Sequence, residues 1–253
     1  MRKTCVNKPI GKLTKRGAAT RRRIVEGATE LVLRNGTTGT SLDELMVEAG
    51  VSKSQIYHYF ADKDAIVAEV IRRQVENAFA SQSPHLRDIN SMETLRHWCS
   101  AIVDLSRAQG GKGGCPIGSL ASQLSDQSDH ARRLLADSFE SWGSQLESGL
   151  RRMRDQGELA KTADPHDLAV AILGAVQGGL LLAKTMRAVR PLELTVNMAL
   201  ALVERHLTPA GQSLDQSDGS RARELPRRQF GRLPNRSRSS NDLRRKNAPS
   251  KDV

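Results

Sequence analysis

Residues 40–66 read TSLDELMVEAGVSKSQIYHYFADKDAI. Ser41 stands three residues before Glu44, the spacing at which a hydroxyl and a carboxylate satisfy each other's backbone N–H at a helix start. Leu42, Leu45 and Met46 then share one face of that second helix. Ala49-Gly50-Val51 interrupts it, Ser52 supplies a fresh cap, and a third short helix is predicted to run to about Tyr59. Asp62 caps a fourth, with Ile66, Val70 and Phe79 along one side. Two short helices joined by a turn that contains Gly, with apolar residues on their facing sides, make a helix-turn-helix. On the second of the pair, Ser52, Lys53, Ser54, Gln55, Tyr57 and His58 are left for solvent, while Ile56 and Phe60 remain for the core. A helix fits the major groove of DNA, where Gln can pair with adenine. The ordinary alternative is a solvated polar face on a small helical hairpin, but the caps, the turn and a basic arm upstream favour DNA.

Immediately before this stretch, Ile24, Ala28, Leu31 and Val32 mark a first helix that Asn35-Gly36 ends. The chain has 253 residues, 38% hydrophobic, 3% aromatic and 26% charged, with a net charge of +11. Such a composition suits a helical protein better than an aromatic-rich β-sandwich, and the charge suits a polyanionic partner. Residues 1–23 carry +9 and residues 208–253 carry +6, which leaves −4 for residues 24–207. Basicity therefore sits at the two ends. From Thr208 onward the chain is rich in Ser, Arg, Pro, Asn and Gln, with Phe230 its only aromatic residue, and a disordered basic tail is expected. Cys5, Cys99 and Cys115 are an odd number with no metal spacing, so no disulfide framework, zinc site or cofactor is expected, and a cytoplasmic location is. No apolar run follows the basic start, and the apolar stretch 168–183 contains Gln177, so neither a secretory signal nor a membrane span is expected.

The run from Thr40 to Ile66 closely resembles the amino-terminal signature of the TetR family of transcriptional regulators. The matching elements are Gly36, Thr40, Ala49-Gly50-Val51-Ser52, Tyr57, Phe60, Lys63 and Ile66; Met46 departs from the small residue usual at its place. The resemblance covers residues 18–80 and implies a three-helix DNA-binding domain, followed by a larger helical domain that dimerises and holds a small-molecule effector. Carried over position by position, it implies DNA-backbone contacts by Thr40 and Ser41, base reading by Ser54 and Gln55, and phosphate contacts by Tyr57, His58 and Lys63. Tyr57 and His58 each have a plainer reading, as a packing ring and an exposed histidine.

Farther along, residues 91–109 form a helix with Leu95, Trp98, Ile102 and Leu105 at helical spacing, ending in Gly110, Gly111, Gly113 and Gly114. This glycine-rich loop lacks the Walker pattern and reads as a flexible connector. The next residues, Cys115-Pro116-Ile117-Gly118-Ser119-Leu120, resemble a segment in the branch of TetR-like proteins related to lincomycin-resistance repressors. Leu134, Phe139, Trp142, Leu146 and Met153 form another stripe that suits a core and a pocket wall alike. Asp164-Pro165 opens a long helix with Gly174, Gly178 and Gly179, and a last helix spans 191–207. In TetR-like proteins this pair packs against its twin; burial within one chain is the alternative, and Gln177 suits either an interface or a ligand.

The expected architecture is all-α: a basic arm (1–17), a helix-turn-helix domain (18–80), an effector-binding and dimerisation domain (81–207) and a basic tail (208–253). The expected function is a homodimeric repressor on a near-palindromic stretch of double-stranded DNA. A hydrophobic or cationic ligand in a pocket of Trp98, Cys115, Phe139, Trp142 and Gln177 would release it. Two other classes compete: an enzyme using Cys115 with His130 as base, for which no third orienting group is evident, and a nonspecific nucleic-acid-coating protein acting through the basic ends.

Overall fold

The computed structural model describes residues 13–37, 39–209 and 211. All regular structure among them is helical, apart from one isolated antiparallel bridge between Leu159 and Leu207. The all-α expectation holds.

Thr14 opens α1 (Lys15–Asn35) by accepting the Gly17 N–H on its hydroxyl, so the last three residues of the stretch assigned to the basic arm are helical. Residues 1–12 lie outside the described residues. Gly36 ends the helix at φ 75°, a conformation open to glycine at little cost. The capping box of Ser41 and Glu44 forms at the start of α2 (Leu42–Ala49), and Gly50 closes that helix in the left-handed region at φ 60°. α3 (Lys53–Tyr59) and α4 (Lys63–Arg87) follow, capped by Ser52 and Asp62 as their spacing predicts. Ile24, Ala28, Leu31, Leu45, Ile56 and Val70 are buried together. The Arg21 guanidinium covers the Phe60 ring at 5.3 Å from its centroid, attracted by the ring's negative face.

α4 runs unbroken for 25 residues, so the division expected at 80/81 falls inside one helix. It packs against α1 and also against three later helices, α5 (Met92–Ala108), α6 (Pro116–Leu124) and α7 (Asp129–Asp155). α6 was not anticipated: Pro116 occupies its first turn, where a missing N–H is no loss, and the Cys115 sulfur accepts the Gly118 N–H at 3.4 Å. The loop before it is a fitted turn rather than a loose connector. Gly110, Gly111 and Gly114 all have positive φ, and a Cβ on Gly111 would stand 3.0 Å from the Ala183 carbonyl oxygen.

α8 (Pro165–Met186) and α9 (Arg190–Glu204) close the bundle as a hairpin. Beyond them, the Thr208 N–H donates to the Glu158 carbonyl at 2.9 Å and its hydroxyl to that of Gly157 at 2.7 Å. The first residue assigned to the tail is thus tied to the bundle. Residue 210 and residues 212–253 lie outside the described residues.

Candidate nucleic-acid interface and effector cavity

Six residues of the α3 segment, Ser52, Lys53, Ser54, Gln55, Tyr57 and His58, are exposed, while Ile56 and Phe60 on the opposite side are buried. Periodicity alone produces this division, since positions 56 and 60 lie one helical turn apart. Several of these polar groups are already engaged within the protein. The Gln55 amide oxygen accepts the Ser52 N–H at 2.8 Å, the Gln55 N–H returns to the Ser52 hydroxyl at 3.3 Å, and the Ser52 and Ser54 hydroxyls lie 3.0 Å apart. To read a base through its oxygen, Gln55 must give up one cap bond. Among the described residues its amide NH2 group has no such tie.

The start of α2 is equally committed. The Thr40 hydroxyl donates to the Gly36 carbonyl at 2.8 Å, and the Ser41 hydroxyl to Glu44 at 2.9 Å. The Ser41 N–H, together with that bond, holds the Glu44 carboxyl below its ordinary range. Lys63 sits in the first turn of α4, yet its ammonium donates to the carbonyl oxygens of Thr37 at 3.3 Å and Thr40 at 3.1 Å. It pins the loop between α1 and α2, with one of its three N–H bonds left for a phosphate. Lys53, Tyr57 and His58 point from the exposed side, the last with its ring edge-on to Tyr59 at 4.8 Å.

A cavity of about 410 Å³ lies among α4, α5, α7 and α8, with Gly113, Gly114, Cys115 and Pro116 closing one wall. Of the residues expected to form a pocket, Trp98, Cys115 and Trp142 line it, whereas Phe139 and Gln177 are not in its wall. Phe139 instead packs against the core. The Gln177 oxygen lies where a Cβ on Gly118 would come within 2.7 Å, so glycine lets α6 approach α8 closely. Burial raises the Cys115 thiol above its ordinary range, opposed by the Gly118 N–H and the Gln177 amide; such a thiol is a poor nucleophile. His130 is exposed on α7, and no group orienting it toward Cys115 is seen among the described residues.

The cavity and the loop between α1 and α2 share a hydrogen-bonded link. α6 starts at the cavity wall with Cys115 and Pro116, and near its other end the Gln123 amide oxygen accepts both the Thr37 N–H at 2.9 Å and the Thr37 hydroxyl at 3.3 Å. Thr37 is buried, and its carbonyl is one of the two that Lys63 holds. Sequence reasoning missed this link, because Gln123 and Thr37 are 86 positions apart and neither stands in a motif.

Residues 24–70 match the pattern described as "Bacterial regulatory proteins, tetR family", and residues 91–199 match "Tetracyclin repressor-like, C-terminal domain". The chain belongs to the TetR family. It is accordingly a transcriptional regulator with a helix-turn-helix DNA-binding domain and a helical C-terminal domain. Among its relatives, the HTH-type transcriptional repressor DhaR of Mycobacterium sp. (strain GP1) is 26% identical over 77% of this chain and 95% of that protein. The HTH-type transcriptional regulator LmrA of Bacillus subtilis is 26% identical over 68% of this chain and 90% of its own. A TetR family regulator from Cytophaga hutchinsonii superposes with a TM-score of 0.68 at 19% identity, over 78% of this chain and 99% of that one. All three are named as transcriptional repressors or regulators.

One face of this TetR family protein is unpartnered among the described residues. Val170, Leu181, Leu182, Met186, Leu194 and Met198 on α8 and α9 are exposed, and a Cβ on Gly174 or Gly178 would meet nothing within 4 Å. α8 is also long and apolar enough to cross a membrane by length and composition, with a mean hydropathy of 1.7 over its most apolar window. Its other side is packed on α7 and α9 through Leu168, Ile172 and Val176, as suits one half of a helical interface.

Proposed function

We propose that this TetR family regulator is a cytoplasmic repressor that binds a near-palindromic operator as a homodimer and leaves it when a small molecule occupies the 410 Å³ cavity. The observation that carries the reading is the chain of contacts from the cavity wall through α6 and Gln123 to Thr37, and from Thr37 through Lys63 to Thr40. A ligand that displaces the Cys115–Pro116 end of α6 moves the acceptor on which the α1–α2 loop rests. For release, it must bind the displaced arrangement more tightly than the DNA-bound one.

Ser54 and Gln55 are the base readers in this reading, with phosphate contacts from Lys53, Tyr57, His58 and Lys63 and DNA-backbone contacts by Thr40, Ser41 and Ser52. One recognition helix carries only about three or four base-reading side chains, so two copies are needed to single out a genomic site. The exposed apolar face of α8 and α9 supplies the surface for the second copy. The helix-turn-helix domain then runs from Thr14 into α4, and the effector-binding and dimerisation domain from α4 to Thr208, with α4 common to both.

Sequencing the DNA that the purified protein retains from its own genome tests the proposal. Inverted half-sites about one helical turn apart are expected. Equal retention of unrelated DNA in competition, or a folded monomer that binds one half-site tightly, overturns it.

A further inference from the structure

The polar groups around the cavity name a class of ligand. Among the described residues its wall holds no Asp, Glu, Lys or Arg; its ionisable groups are Cys115 and His85, the latter exposed and stacked on His97 at 5.8 Å. A buried cation needs a carboxylate partner and a buried anion needs a cation, and the wall offers neither. The −4 of residues 24–207 lies elsewhere on the protein.

What the wall does hold is a set of uncharged polar groups without partners. The indole N–H groups of Trp98 and Trp142 and the Gln82 amide oxygen are buried and unbonded. Gln74, from α4, is only 4% exposed, and none of the hydrogen bonds among the described residues uses its side-chain amide. Native proteins leave few buried polar groups unsatisfied. Three residues with such groups around one cavity, one each on α4, α5 and α7, with the Gln74 amide beside them on the wall, point to a bonding partner that enters from outside. The rest of the wall is apolar, with Ala101, Ile102, Leu105 and Leu180 on it.

Resting on the reading of this cavity as the effector site, we propose that it takes an uncharged, largely apolar molecule bearing a carbonyl or hydroxyl oxygen, with Gln74 as the residue that selects the oxygen. The Gln74 NH2 donates to a carbonyl oxygen, and its own oxygen accepts from a hydroxyl. The indole N–H groups add donors once the ring packing around them adjusts.

Four naphthalene derivatives of matched shape test this by calorimetry without DNA: acetylnaphthalene, isopropylnaphthalene, naphthoate and naphthylethylammonium. Acetylnaphthalene should bind the wild-type protein at least about tenfold more tightly than each of the others. Gln74→Met, close in volume, should abolish its advantage over the hydrocarbon while leaving hydrocarbon binding intact. Gln74→Glu should turn the preference toward the ammonium, which keeps the test open if the methionine variant fails to fold. Tighter or equal binding of the ammonium, the carboxylate or the hydrocarbon by wild type overturns the proposal, as does binding of none of the four or unchanged discrimination in both variants. DNA release is measured separately. A ketone that binds with the expected discrimination but leaves DNA affinity unchanged removes the switch and leaves the ligand class standing.

Discussion

Replacing Gln123 by Ala removes the acceptor shared by the Thr37 N–H and hydroxyl, at 2.9 and 3.3 Å. Both donors sit on a residue only 4% exposed, so they lose a partner without gaining full access to water. Leaving a buried group unsatisfied costs about 1–3 kcal/mol. Because water can reach part of this loop once the Gln side chain is gone, about 1–2 kcal/mol is expected. For a folded region of this size that lowers the melting temperature by about 2–8 °C. DNA binding must then re-order the loop that carries Thr40 and Ser41, so affinity for the retained genomic site should fall by up to the same free energy, about 5–30-fold. Gln123→Glu is the informative control. Gln123 acts here only as an acceptor, and a carboxylate accepts the same two bonds, so this variant should keep both stability and affinity near wild type. Thermal melts and anisotropy titrations at one salt concentration read the two quantities. If the Ala and Glu variants behave alike, or if Ala changes neither quantity, the link from α6 to the reading head is not a functional one.

Gln55→Ala should lose about 1–3 kcal/mol at the cognate site with little change on random DNA. Lys63→Ala should weaken all DNA, reduce the salt slope by about 1 and also lower the melting temperature, since Lys63 holds two loop carbonyls; equal effects of the two changes on both DNAs would refute this division of roles. Leu181→Glu, on the exposed face of α8, should give a folded monomer by light scattering with specific DNA binding lost, because an unpaired buried charge costs about 3–5 kcal/mol at an interface; a stable dimer would move the interface elsewhere. Deleting residues 212–253 should leave the melting transition and the dimer unchanged while lowering random-DNA affinity, whereas a deletion starting at Thr208 should also cost stability through its bonds to Gly157 and Glu158; insolubility of the shorter deletion would show that the tail belongs to the fold. Burial pushes the Cys99 thiol up to about 12, above its value in an unfolded chain. Its contribution is therefore complete below about pH 8.5 and is lost toward pH 12 as the unfolded state ionises, at about 1.4 kcal/mol per pH unit. Between pH 8 and pH 10 the stability of wild type from denaturant melts should fall by about 2 kcal/mol relative to Cys99→Ala, and an unchanged difference between the two proteins would contradict it.

The helices of the helix-turn-helix domain were legible in the sequence because their signals are local. Ser41 with Glu44, Ser52 with Gln55, Gly36 and Gly50 act over three or four residues, through backbone geometry and caps that need no distant partner. The division of α3 into Ile56 and Phe60 inside and Gln55, Tyr57 and His58 outside follows from the helical repeat alone. What a polar side chain does is another matter, since a hydrogen bond depends on position in space. The sequence offered Lys63 to a phosphate, and the fold occupies most of its donors with carbonyls of the α1–α2 loop. The cavity wall likewise needed the bundle. Trp98, Cys115 and Trp142 meet there while Phe139, only three residues from Trp142 on α7, packs elsewhere; one helical stripe can serve core and pocket, and periodicity does not say which residue serves which. Gln74 gave no signal in the chain, because its place in an uncharged wall is set by the packing of α4 against α5 and α7. Local propensity and capping fixed where helices begin and end, and the contacts between distant helices decided which polar groups are spent inside the protein and which remain for a ligand or for DNA.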